Sequence, residues 1–233
     1  VTGFVEDGLL GGLLHDPEMA ALFSGEAMLG HMLAVERAWT EVLVETGTVS
    51  AEAGAAALTR IDGCGVRVEA LSEASERDGV PVPSLVRMLR DGLGGEAAAA
   101  IHTGLTSQDV LDTAMMLAMR AALRRMADLG AEVEAAFDAL EARTAGGTVT
   151  AITRMQPALP VPVSHQLAVW RGPVTRALAG LSALQVGLPA QFGGPVGLRE
   201  GPDGAGSLFA ERLGLVDPGE AWHVDREAVR ELG

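Results

Sequence analysis

An all-α fold is what this chain predicts, on three observations. Residues 105–129 run without a proline or glycine, and the stretch opens on Thr106-Ser107-Gln108-Asp109. The composition is 48% hydrophobic but only 3% aromatic, so any core is built from Ala, Leu, Val and Met, residues that favour helix over strand. Apolar side chains also recur at spacings of three and four through residues 28–43 and again through residues 126–140. The expected architecture is a small helical N-terminal domain, residues 1–95, followed by a central long-helix bundle, residues 96–233, incomplete at its C-terminal end.

Taken in order, residues 4–15 are rich in Gly and Leu and lead to Asp16-Pro17, a turn or helix start. Ser24 can cap a helix carrying Met28, Leu29, Met32, Leu33, Val35, Trp39, Val42 and Leu43 to a stop at Gly47. Ser50 starts a shorter helix through Leu58, and residues 66–76 suggest another. After the Val80-Pro81-Val82-Pro83 break, Ser84 can cap a helix to Asp91, closed by Gly92.

The central element follows. Thr106 and Asp109 have capping-box spacing, so a helix should begin there. Residues 110–123 hold only Asp112, Thr113 and Arg120 among Leu, Met, Val and Ala, which predicts burial almost all round. The polar face returns from Arg124 onward, and with Gly130 as an interruption costing about 1 kcal/mol the helix should reach about Arg143. That length points to a bundle or an oligomeric core. Asp112 and Arg120 inside the apolar half argue against a membrane span.

Beyond the Ala145-Gly146-Gly147 turn, residues 149–152 can be extended, Thr153-Arg154-Met155-Gln156 reads as a loop, and Pro157, Pro160 and Pro162 lead into a second apolar helix at residues 163–188. Pro173 should kink or interrupt that helix. Residues 191–197 form a connection between packed helices, residues 207–213 a short helix ended by Gly214, and Trp222-His223-Val224-Asp225-Arg226 opens the last element.

A net charge of −14 excludes ordinary nucleic-acid binding, which needs phosphates neutralised by a basic surface. All 17 basic residues are arginine, so neither Schiff-base nor phosphate-loop lysine chemistry can arise within this sequence. The single cysteine, Cys64, offers no disulfide framework and suits the cytoplasm, and the N-terminus shows no basic leader. Neither a metal nor a cofactor is expected, since the five histidines lack ligand-like spacing.

Two corners could carry chemistry. His102-Thr103-Gly104-Leu105-Thr106-Ser107-Gln108 places two hydroxyls, an amide and unpaired backbone N–H groups at a helix N-terminus, an arrangement that favours a carboxylate. The same spacing also describes an ordinary helix cap, with His102 a structural histidine. Thr153-Arg154-Met155-Gln156 offers a guanidinium fork for two-point contact with a second carboxylate, or equally a surface-loop arginine.

The string from Ile101 to Ala114, IHTGLTSQDVLDTA, resembles the first signature of the fumarase/aspartase superfamily, closest to its carboxymuconate cycloisomerase and adenylosuccinate lyase branches. Residues 153–170 resemble the second signature, residues 24–49 the first helix of these enzymes, and residues 221–226 a cycloisomerase segment. Ile152 stands where the family often has arginine and Leu198 where it often has threonine. The third signature, a flexible loop carrying a serine and a lysine, has no counterpart, so these residues look like the N-terminal portion of a longer enzyme. The resemblance implies a homotetramer with active sites shared between subunits and a small polycarboxylate substrate. It assigns Ser107 and Arg154 catalytic roles, and substrate contacts to His102, Thr106, Ser107, Gln108, Thr153, Arg154, Gln156 and His223.

The branch follows from chemistry at position 154. Lyases that release an amine benefit from a protonating histidine in the second signature; an arginine there suits a carboxylate that attacks and leaves without a proton. The resemblance therefore implies reversible lactonisation of a carboxymuconate in aromatic degradation. An adenylosuccinate-type lyase and a catalytically silent helical oligomerisation module are the competing readings.

Overall fold

The computed structural model describes residues 11–232, so the glycine- and leucine-rich start falls largely outside the described residues. The chain forms two compact units, one from residues up to 121 together with those from 187 onward, the other from residues 122–186.

The first unit begins with α1 (Gly11–Leu14), α2 (Pro17–Ala21) and α3 (Gly25–Glu45). The carboxylate of Asp16 caps α2 by accepting from the Glu18 and Met19 amides at 3.0 Å, and Ser24 Oγ caps α3 by accepting from Ala27 N–H. Next come α4 (Ala51–Asp62), α5 (Val68–Asp78), α6 (Val82–Arg90) and α7 (Gly95–Ala99). Ser50 caps α4 as its spacing predicts, and Glu96 fixes that cap by accepting from the Ser50 amide and hydroxyl at 2.8 and 2.7 Å.

Helix α6 differs from the expected start at Ser84. Pro83 sits in its first turn, where a missing N–H costs nothing, so the helix begins at Val82. Ser84 is fully buried; its hydroxyl donates to Asp78 and accepts from Arg87 at 2.9 and 2.6 Å.

The core of this unit gathers on Trp39, whose ring lies 4.7 Å from Phe192 and 5.6 Å, edge-on, from Phe209. Val35, Val42, Leu43, Leu85 and Leu89 complete the buried layer. Burying each such side chain contributes about 1.5–3 kcal/mol. Helix α8 (Ser107–Arg143) starts and ends where the sequence predicts, and its first turns are buried nearly all round, with Val110, Ala114, Met116 and Ala118 at 0% exposure. The unit closes with α10 (Ala205–Leu213), stopped by left-handed Gly214, and α11 (Glu227–Arg230).

The second unit comprises the rest of α8, a hairpin of β1 (Thr148–Thr153) and β2 (Gln156–Pro162), and α9 (Val163–Val186). The helical class holds with this hairpin as its addition. The prolines expected only to precede a helix instead lie in β2, paired antiparallel as Thr150↔Pro160 and Ile152↔Pro157. In a two-stranded sheet both strands are edges, so a residue without an N–H is tolerated. Arg154 and Met155 form the two-residue turn with φ of 47° and 62°, the doubly left-handed backbone that matches strand twist.

Pro173 does not interrupt α9, which runs through it. Nearby bonds tie that stretch down: Arg171 donates to Glu134 and Asp138 at 2.6 and 2.7 Å, and Thr175 donates to Glu134 at 2.6 Å. Gly130 is no passive interruption either, since a Cβ there would fall 2.0 Å from Leu178 Cδ2.

Candidate active site

The first unit builds its site around the N-terminus of α8. An α-helix leaves its first amides without intrahelical partners, and here those amides lie beside the hydroxyls of Thr106 and Ser107. Both side chains are half-buried, and neither hydroxyl has a hydrogen-bond partner among the described residues. Unspent donors at the positive end of a long helix are suited to an anion.

Asp109 fixes the geometry. Its carboxylate answers the Thr106 amide at 2.9 Å, the reciprocal half of the expected capping box, and then reaches farther. It also accepts from the backbone N–H groups of Gly193 and Gly194, at 2.8 and 2.9 Å, and faces His223 Nε2 at 2.8 Å. The group is fully buried, and burial pushes its carboxyl above the usual aspartate range against the pull of the Thr106 amide, His223 and the Gly194 amide.

The glycine loop sits this close because it lacks side chains. A Cβ on Gly193 would lie 2.5 Å from His223 Cε1, and one on Gly194, at φ 66°, 3.1 Å from the Gly104 carbonyl oxygen. The sequence alone suggests a connection between packed helices here; in the structure the loop binds the site together through Asp109.

Gln108 donates from Nε2 to the His223 carbonyl at 2.8 Å and to Asp112 at 3.2 Å, so its amide fastens the His223 segment to α8. Asp112 in turn holds Arg226 through two bonds of 2.6 and 2.9 Å, and the guanidinium lies over the Trp222 ring at 5.0 Å. Trp222 is anchored on both sides, its Nε1 donating to Ala190 O and its backbone N–H to Gln191 Oε1 at 3.0 Å each.

His102 has its own partner on α3. Its Nδ1 lies 2.6 Å from Glu36 Oε1, and Glu36 is fully buried on α3. The two imidazoles are therefore held by opposite nitrogens, His102 through Nδ1 and His223 through Nε2. Among the sequence-predicted residues, the structure gathers His102, Thr106, Ser107, Gln108 and His223 in the first unit. Thr153, Arg154 and Gln156 sit at the hairpin turn of the second, Thr153 and Gln156 as the closing pair and Arg154 exposed at the turn.

Sequence reasoning missed Glu36, Asp109 as a hub, and Gly193-Gly194. The signal for Glu36 was present: an acid among Met32, Val35, Trp39 and Leu43, on the face that the helical spacing buries. For the loop, the signal was a glycine pair followed by Gly197, where close backbone approach is the ordinary reason for glycine.

This long helix with its anion-ready N-terminus, set in a helical scaffold, is shared with proteins of the fumarase/aspartase superfamily. The chain belongs to that family, whose lyase model matches residues 17–201. It is 34% identical over 232 residues to the 3-carboxy-cis,cis-muconate cycloisomerase of Bradyrhizobium diazoefficiens, covering 96% of this chain and 51% of that relative. It is also 32% identical over 251 residues to the nitrosuccinate lyase of Streptomyces davaonensis, covering 100% of this chain and 52% of that one. Among solved structures, the 3-carboxy-cis,cis-muconate lactonizing enzyme from Pseudomonas putida superposes with a TM-score of 0.84 at 28% identity, covering 96% of this chain and 52% of that chain. A fumarate lyase from Mesorhizobium gives 0.85 at 27%, covering 93% and 52%. The chain spans about half the length of the curated relatives it matches.

Proposed function

We propose that the whole protein is a 3-carboxy-cis,cis-muconate cycloisomerase, converting a carboxymuconate reversibly to its lactone in aromatic degradation. The observation that carries this reading is the N-terminus of α8, where the Thr106 and Ser107 hydroxyls, unbonded among the described residues, flank the unpaired first-turn amides. That corner takes one carboxylate of the substrate. Arg154, with Thr153 and Gln156, takes the carboxylate that attacks the double bond. In the forward step a carboxylate oxygen bonds to one alkene carbon, the π electrons move into the neighbouring carboxylate as an aci-carboxylate, and the carbon between the two then takes a proton from the serine that the resemblance puts on the third signature loop of the whole protein. The attacking group is anionic before the step and leaves as an anion in reverse, so an arginine at position 154 serves where an amine-releasing lyase benefits from an acid.

The relatives support the same reading, since cycloisomerases from several bacteria match most of the chain, at 34% identity in Bradyrhizobium diazoefficiens and 30% in Acinetobacter baylyi. Ser107 and Arg154 are the residues to which we assign catalytic roles, with His102, Gln108 and His223 shaping the first corner. The proposal extends to a cytoplasmic homotetramer whose sites combine residues of different subunits, and to a division into a helical domain at residues 1–95 and a long-helix domain at 96–233. Loss of carboxymuconate absorbance on addition of the whole protein tests the function. Turnover of adenylosuccinate instead would overturn it, and turnover of neither would favour the silent helical module.

A further inference from the structure

We infer that Glu36 is a positioning residue that decides which nitrogen of His102 faces the substrate; the inference rests on the carboxylate-binding reading of the α8 N-terminus. Glu36 is 0% exposed, its Oε1 lies 2.6 Å from His102 Nδ1, and its Oε2 has no partner. A carboxylate buried this way needs a proton donor facing it, and His102 is its hydrogen-bonding partner among the described residues. Two acceptors cannot share a contact of 2.6 Å, so one proton lies between them. Glu36 as a carboxylate can only accept, so that proton is carried on Nδ1.

This matters because a free histidine side chain favours its proton on Nε2. Glu36 reverses the preference and leaves Nε2 as the nitrogen available to a ligand, as the bond on one ring nitrogen generally sets the state of the other. Nε2 has no hydrogen-bond partner among the described residues and is not sealed from solvent. The backbone at His102 is also held in place. His102 adopts φ 62°, a left-handed conformation costly for a residue with a Cβ, which persists where the surroundings impose it. Those surroundings are three bonds to neighbouring carbonyls: Thr40 Oγ1 to Ala100 O at 3.0 Å, Arg90 to Ile101 O at 2.6 Å and Trp39 Nε1 to Thr103 O at 2.7 Å. A strained, triply clamped backbone with a carboxylate-locked ring is more than a core histidine requires. Glu36 touches no substrate in this account; it acts through His102.

The test labels histidine with 13C and 15N in the whole protein and reads ring protonation by solid-state NMR, with His102→Asn identifying the signal. The parent should carry a proton on His102 Nδ1, and Glu36→Gln should return the ring to the Nε2–H form. In the same variant the ring would present an N–H donor instead of a lone pair at Nε2, so KM for carboxymuconate should fall, roughly tenfold for one hydrogen bond gained to a charged group, with kcat little changed. Glu36→Asp, which keeps the carboxylate, should hold the Nδ1 proton. An unprotonated Nδ1 in the parent overturns the inference without recourse to any variant. So does a Glu36→Gln protein whose tautomer and KM match the parent, or one whose only change is a lower melting temperature. If the parent turns over no carboxymuconate but shows the Nδ1 proton, the functional reading falls and the locking of His102 by Glu36 stands.

Discussion

At the scale of single residues, substitutions at Arg154 would separate the proposed electrostatic role from general acid catalysis. Its guanidinium is a planar fork on an exposed hairpin turn, with donors spaced to meet a carboxylate at two points. Arg154→Lys should therefore lower carboxymuconate turnover although the charge survives, and Arg154→His should fail to restore it near pH 7; a histidine variant as fast as the parent would remove the carboxylate-orienting role. His31 on α3 makes an independent pH prediction. Burial pushes its imidazole below the ordinary value of 6.5, and the charge of Arg120 pushes it the same way. The folded state thus favours neutral His31, and the unfolded chain binds the extra proton first. The stability contribution is full above pH 6.5 and is lost as pH falls through the lowered folded value. Melting temperatures measured from pH 8 to pH 5 should fall more steeply for the parent than for His31→Gln, and parallel curves would contradict this.

At the scale of elements, the helices were legible because their signals are local. Ser24 and Ser50 cap where their spacing says, and α8 runs from the Thr106 cap to Arg143. The hairpin was not legible, because Pro157, Pro160 and Pro162 argue locally against a strand, and only the long-range pairing with β1 reveals that an edge tolerates them. Ser84 was misread for the related reason that two nearby prolines offered an earlier helix start. Gly130 shows the same limit from the other side. Helix propensity favours Gly130→Ala by about 1 kcal/mol, whereas the close approach of Leu178 opposes it. Overpacking typically costs about 1–3 kcal/mol, so Gly130→Ala should destabilise in chemical denaturation, and adding Leu178→Ala should recover part of the loss. A more stable Gly130→Ala protein would show that Leu178 moves aside freely.

At the scale of the molecule, the apolar surface left uncovered decides the expected assembly. Helix α9 buries only Leu167 fully, while Trp170 is 56% and Val186 77% exposed, and Met126, Leu129 and Val133 on α8 are also open. Soluble monomers rarely leave so much apolar surface uncovered. The residues expected to bind the two carboxylates fall on different compact units of one chain, and the resemblance places them in different subunits of each site. That arrangement makes a prediction no monomeric site can satisfy. Ser107→Ala alone should lower kcat/KM by roughly ten- to a hundredfold, the value of a hydrogen bond to a charged group, and Arg154→Ala should lower it further still. If the two impaired proteins are dissociated together and reassembled as symmetric oligomers, random mixing unites native Ser107 with native Arg154 in about a quarter of the sites. Activity should then rise to about a quarter of the parent level, while each variant reassembled alone stays at its own reduced level and light scattering shows a tetramer throughout. A mixture no more active than its components, with exchange of subunits demonstrated by mass labelling, would mean that both residues come from one chain and that the two-corner site is closed within a single subunit.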